Sequence, residues 1–124
     1  MATLTPKLTL TGTAADFGAA LSLSVSDTLS DITEPVIGVS QTSIATGSAQ
    51  ALIASNSKQS FTYIKVVSGA NSSDFVQIKI GGNAVLRMRI GEFAFLPLYA
   101  SLAVTAEAYG GACVVETAQY SATS

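Results

Sequence analysis

Residues 59–98 constrain the fold more than any other stretch, because they read as four consecutive strands with a turn signal at each junction. Residues 61–67 are rich in β-branched and aromatic types on both faces, which predicts a central strand covered on both sides. Residues 68–73 collect the Ser, Gly and Asn types that close turns. Residues 75–80 then alternate: Val76, Ile78 and Ile80 share one face, while Phe75, Gln77 and Lys79 share the other. Gly81, Gly82 and Asn83 supply the positive φ angles of a tight hairpin. Residues 84–90 return with Leu86, Met88 and Ile90 on one face and Val85, Arg87 and Arg89 on the other. Gly91 and Glu92 turn the chain into residues 93–98, a strand that ends or lies at an edge at Pro97, which has no N–H to donate. Taken in order, the four predict a β-meander in which Val76, Ile78, Ile80, Leu86, Met88 and Ile90 form one buried face.

The rest of the chain keeps the same period. Leu4, Pro6, Leu8 and Leu10 alternate with Thr5, Lys7, Thr9 and Thr11, so residues 1–11 read as a strand or an extended N-terminal arm. Residues 12–20 read as a loop or a single helical turn around Asp16 and Phe17. Leu21, Leu23 and Val25 alternate with three serines and are expected inward. Residues 27–31 read as a turn. Residues 35–44 form a strand whose register blurs at Val36, Ile37 and Gly38, which suggests a bulge. A turn at 46–48, a short strand at 49–54, and two closing strands at 102–108 and 113–120 complete the pattern. This makes about ten strands at the spacing of sandwiches and barrels, with no helix-period segment. The fold expected over residues 1–124 is therefore all-β: one antiparallel, jelly-roll-like β-sandwich of about 8–10 strands.

Composition bounds the chemistry. The chain of 124 residues is 48% hydrophobic but only 11% charged, so Ser, Thr, Ala and Gly must form much of its surface. Few charges oppose association, and a homo-oligomer, a trimer or another ring, is the default expectation. A net charge of −2 gives no basic footprint for nucleic acid or an anionic membrane. No apolar run approaches the ~20 residues of a membrane span. There is no histidine, which removes the commonest general base and metal ligand. The one cysteine, Cys113, lies in an apolar run and reads as a buried structural thiol rather than a nucleophile. Asp27 and Asp31 could offer oxygens to calcium, but their spacing fits ordinary turn capping better. Glu92, directly after Gly91, is expected to accept backbone N–H bonds from a neighbouring turn. No enzyme, cofactor or metal is implied. Arg87 and Arg89, two apart on one strand face, could meet a phosphate or a partner's carboxylate, or lie solvated opposite Lys79 or Glu107. Leu4, Leu8 and Leu10 join them as candidate partner-binding residues, because the N-terminal row is a natural edge for a neighbour's sheet.

Three places carry a family resemblance. Tyr63-Ile64-Lys65 precedes a Gly/Asn/Ser loop, Gly91-Glu92 leads into Phe93-Ala94-Phe95-Leu96-Pro97-Leu98, and Val114-Val115-Glu116 lies near Tyr120. Together they resemble small β-sandwich structural proteins in the virions of tailed bacteriophages, particularly those of marine and cyanobacterial hosts. The chain departs from that pattern at Val66, where Asn is common, and at Ile90, where Pro often precedes Gly-Glu. The resemblance implies a non-enzymatic virion protein made in the host cytoplasm. Its first reading is a capsid decoration (cement) protein that binds assembled major capsid protein on the outer surface of the particle. A tail, collar or fibre-associated subunit is the alternative within that class. A carbohydrate-binding adsorption module is the alternative outside it, although the chain has no Trp and four Tyr to serve as sugar platforms.

Overall fold

The computed structural model describes residues 2–12, 21–55, 57–99 and 101–122, and of residues 2, 12, 21, 30–38 and 122 the backbone alone. The loop around Asp16 and Phe17 therefore falls outside what is described, and the residues of the expected bulge, Val36–Gly38, lie within a continuous strand whose side chains there are not described. All eleven described elements are strands, and no helix occurs among the described residues. The chain divides into two compact units, Met1–Ile32 and Thr33–Ser124.

In the first unit, β1 (Ala2–Leu4) pairs antiparallel with the start of β4, placing Leu4 opposite Leu29. Strands β2 (Lys7–Gly12) and β3 (Leu21–Ser26) form a separate two-stranded antiparallel ribbon. Between β3 and β4 only Asp27 and Thr28 lie outside strands, and they interrupt an extended run, so the turn expected over residues 27–31 is not formed. The Asp27 side chain accepts the Thr28 N–H at 2.8 Å, and the Asp27 N–H donates to the Pro6 carbonyl at 3.2 Å. The bond to Pro6 carries the antiparallel register on from Lys7 opposite Ser26 to Leu4 opposite Leu29, so the chain runs from β3 into β4 without reversing.

The second unit is a sandwich of eight strands that begins within β4 (Leu29–Ile44). Its other members are β5 (Gln50–Ile53), β6 (Ser60–Gly69), β7 (Phe75–Ile80), β8 (Asn83–Arg89), β9 (Phe93–Leu98), β10 (Val104–Tyr109) and β11 (Cys113–Ala122). The β7–β8 hairpin closes through Gly81 and Gly82, with φ of 60° and 87°, as a two-residue loop with positive φ at both centres demands. Outward from it the pairs nest: β6 with β9, β5 with β10, and β4 with β11. Rolled up, the doubled ribbon gives one sheet ordered β4-β11-β6-β9 and another ordered β5-β10-β7-β8. That is the jelly-roll order.

The meander is thus corrected. Strands β6 and β9 pair in one sheet, while β7 and β8 lie in the other. Only β7–β8 is a hairpin, and the chain changes sheets on either side of it. The second crossing is held by backbone bonds, Gly91 N–H to the Val66 carbonyl at 2.7 Å and Val66 N–H to the Glu92 carbonyl at 3.1 Å.

The core forms where the inner rows of the two sheets meet. Ile44, Ile64, Val66 and Val115 from one sheet pack with Ile53, Val76, Ile78, Met88 and Val104 from the other. Ala106 and Ala108 sit opposite Ile78 and Val76 in register, small beside large. Ile80, Leu86 and Ile90 pack at its margin, so the row expected across the hairpin does face inward. The expectation that β6 is covered on both faces does not hold: Ile64 and Val66 are buried, while Phe61, Tyr63 and Lys65 are half-exposed on the outside.

Because Ile78 is fully enclosed and Gln77 points out from the same strand, Ile78→Ala is expected to cost about 2–5 kcal/mol in urea unfolding. Gln77→Ala should cost less than about 0.5–1 kcal/mol. Equal losses would mean that this sheet is buried on both sides.

Candidate functional site

The groups best suited to chemistry are tied into turns. Cys113 is buried, its Sγ lies 3.6 Å from the Gly111 carbonyl, and burial, reinforced by the charge of Asp74, pushes its thiol pKa up. The thiolate needed for nucleophilic attack is therefore disfavoured. Asp74 is the buried carboxylate that the sequence reading missed. Its Oδ2 accepts the Asn71 N–H at 2.8 Å, and its own N–H donates to the Asn71 carbonyl at 3.1 Å. The same carboxylate lies close against the Gly110–Gly111 turn between β10 and β11, where a side chain on either glycine would collide with it. Glu92 caps its own turn rather than a neighbouring one, its Oε1 accepting the Arg89 N–H at 2.6 Å. Among the described residues, no group of three or more Cys, Asp or Glu side chains is placed to hold a metal.

What remains is surface, and the β2–β3 ribbon supplies the first part of it. Its register puts Leu8 opposite Val25 and Leu10 opposite Leu23, so four apolar side chains share one face. They are exposed at 40%, 52%, 43% and 42% respectively. Leu23 and Val25 are thus not inward as expected. The alternation identified their shared face correctly, but a two-stranded ribbon has no second layer to bury it. Of the remaining candidates, Leu4 is half-buried in β1.

The outer face of the β5-β10-β7-β8 sheet carries Arg87 and Arg89. Register aligns Glu107, Gln77 and Arg87 across β10, β7 and β8, and beside them Tyr109, Phe75 and Arg89. The Phe75 and Tyr109 rings stack at 5.0 Å, and the Arg87 guanidinium lies 3.9 Å from the Phe75 centroid. The Tyr109 hydroxyl donates to Gln77 Oε1 at 3.3 Å, and the neighbouring Glu107 carboxylate raises its pKa. Arg87 is therefore held over a ring, not solvated freely opposite Lys79 or Glu107. Composition had no means of showing this stack, which depends on β10 lying beside β7.

The outer face of β11-β6-β9 is aromatic. Phe61 and Phe95 stack at 6.3 Å, Phe93 is 61% exposed, and Tyr63 pairs in register with Phe95. The Tyr63 hydroxyl donates to Glu116 Oε1 at 2.9 Å, and Gln41 Nε2 donates to Glu116 Oε2 at 3.5 Å. Partial burial, then the Glu116 carboxylate, holds the Tyr63 phenol above its ordinary pKa. The alternating pattern contained this row. It went unread because half of the strand's apolar groups were assigned to a second covering layer.

No family model matches the chain, and no curated protein or solved structure matches it significantly.

The Asp74 contact has a simple test. Gly110 has φ of 90°, and a methyl added there would lie 2.5 Å from Asp74 Oδ1. Gly110→Ala is expected to lower stability by about 1–3 kcal/mol, from left-handed strain together with the displaced carboxylate. Chemical unfolding measures it, and an unchanged midpoint would show that the two turns are not coupled.

Proposed function

We propose that the protein is a non-enzymatic structural subunit of a tailed-bacteriophage virion. Its most specific form is a decoration protein that binds assembled major capsid protein and stabilises the head. The exposed apolar face of Leu8, Leu10, Leu23 and Val25 is the observation that carries the binding part of this reading. Each of the four is about half exposed, so covering it would add roughly half of the ~1.5–3 kcal/mol that full burial of such a side chain gives. The virion part rests on the resemblance of the Tyr63, Gly91–Leu98 and Val114–Glu116 segments to phage β-sandwich proteins. The jelly roll adds a fold-level analogy, since capsid proteins use it, but so do lectins and cupins.

The mechanism is additive. A subunit that binds only the assembled lattice stabilises assembly over dissociation by mass action. Repetition over many sites, or oligomerisation of the subunit itself, turns modest contacts into tight occupancy. A tail or collar location uses the same faces at lower copy number. Imaging whole particles and locating the chain tests the reading directly. Hundreds of copies over the head support decoration, six or twelve at the neck or tail support the alternative, and absence from the particle ends both.

On this reading the ribbon face supplies subunit contact. Replacing Leu10 and Leu23 by Ser should weaken self-association or particle binding by at least about tenfold, which is less than the burial of two leucines can supply. The unfolding midpoint of the sandwich should stay nearly unchanged. Unaltered sedimentation and unaltered occupancy of particles would show that the ribbon makes no contact.

A further inference from the structure

We infer that the outer face of the β5-β10-β7-β8 sheet is a docking surface for an acidic protein segment, with Arg87 and Arg89 taking its carboxylates. The inference rests on the reading that this protein works by binding other macromolecules, and it names one partner chemistry and one face.

Charge distribution is the first support. The chain has six Lys and Arg against eight Asp and Glu. Strand alternation and register place three of those six, Lys79, Arg87 and Arg89, on this one sheet face. Among the described residues, register places Glu107 alone opposite them, through β10. Glu92, at the end of β8, has its carboxylate on the Arg89 backbone N–H. Among the described residues none of the three cations forms an ion pair. A chain of net charge −2 thus presents a locally positive sheet.

The second support is preorganisation. The Arg87 guanidinium sits over the Phe75 ring, 3.9 Å from its centroid, a cation–π contact that steadies the group while its N–H donors stay available to a ligand. Tyr109 packs against Phe75 from the β10 side, and its hydroxyl is tied to Gln77, so the stack is held from both flanks. A guanidinium already oriented loses less freedom on meeting a carboxylate, and two parallel N–H bonds to that carboxylate are its strongest pairing. Arg, Tyr and Phe are also the types enriched in protein interfaces, and the exposed Val85 on β8 adds apolar contact.

The same stack argues against other occupants. The Phe75 ring is stacked on by Tyr109 and covered by Arg87, so Phe75 itself is no open platform for a sugar. Three cations offset by Glu107 are few for a phosphate backbone, where affinity grows with each neutralised charge.

The test is an amide-shift titration of the full-length protein at low salt. The probe is hexaglutamate, acetylated and amidated at its ends, with a heparin hexasaccharide and dT6 run in parallel. Expected are shifts confined to β7, β8 and β10 on adding hexaglutamate. Arg87→Glu should weaken binding by at least about tenfold, and Arg87→Lys, which keeps the charge but loses the fork, by less. Lys65→Glu, the same charge change on the other sheet, should alter it little. Retained spectral dispersion of each variant shows that its fold is intact. The inference is overturned by no shifts at millimolar hexaglutamate, or by equal losses in Arg87→Glu and Lys65→Glu. Tighter binding of either of the other polyanions on this face also overturns it. The titration needs no particle, so its failure leaves the virion reading standing, and absence of the protein from particles leaves the docking face standing.

Discussion

Nested antiparallel pairing is the constraint on which the sandwich depends. The β7–β8 hairpin, turned by Gly81 and Gly82, lies at the centre, and each of β4, β5 and β6 pairs with a strand after it. Two further pairings, β11 with β6 and β10 with β7, close the doubled ribbon into sheets. These pairings join residues far apart in sequence, such as Ser121 with Ser60 and Tyr109 with Phe75. Such a topology defers most of its hydrogen bonds until distant segments have met, a slow route for a small domain. Local devices such as the Asp74 contact with Asn71 and the bonds from Gly91 and Glu92 to Val66 matter because they hold the crossings between sheets.

The core is not uniformly apolar. Along β6 and β11 the inner row runs from Val66, Ile64 and Val115 into Thr62, Ser60, Thr117, Gln119 and Ser121, all buried. Gln119 Nε2 donates to Ser60 Oγ at 3.1 Å, while the Thr62 hydroxyl has no hydrogen-bond partner among the described residues. An unmatched buried hydroxyl typically costs about 1–3 kcal/mol. The polar stretch therefore lowers the stability available from that part of the sandwich, and the apolar remainder around Ile78, Val76 and Val104 must carry more of it.

Much of this was legible in the sequence, and the limits have a physical cause. A two-residue period fixes which side chains share a face, so Val76, Ile78 and Met88 were assignable to one row, and Leu8 with Leu10 to another. Turn chemistry fixed the Gly81–Gly82 hairpin for the same local reason. Neither signal says which strand lies beside which. A short Gly91–Glu92 connection serves equally to return a strand within its sheet or to carry it across to the other, and the structure takes the second route. Nor does a period say whether a face is covered. Leu23 and Val25 look like core in alternation with serine, and Phe61 and Tyr63 look doubly buried, yet both rows face outward. The Phe75, Tyr109 and Arg87 stack was beyond reach for a related reason, since it needs the pairing of β10 with β7.

Outward rows of this kind change the meaning of the low charge. At 11% charged residues, the chain lacks the dense ionic surface that keeps a small protein apart from its neighbours. Its few cations are not spread evenly to make up for that, because half of them share the face that holds Arg87. The aromatic row of Phe61, Phe93 and Phe95 lies on the opposite sheet, and the Leu/Val row lies on the ribbon. A sandwich needs only its inner rows to fold, so folding alone does not account for these three distinct exteriors. On the proposed reading contact accounts for them: apolar rows would give area, a positive sheet partner choice, and the serine and threonine between them would let neighbouring surfaces approach without repulsion.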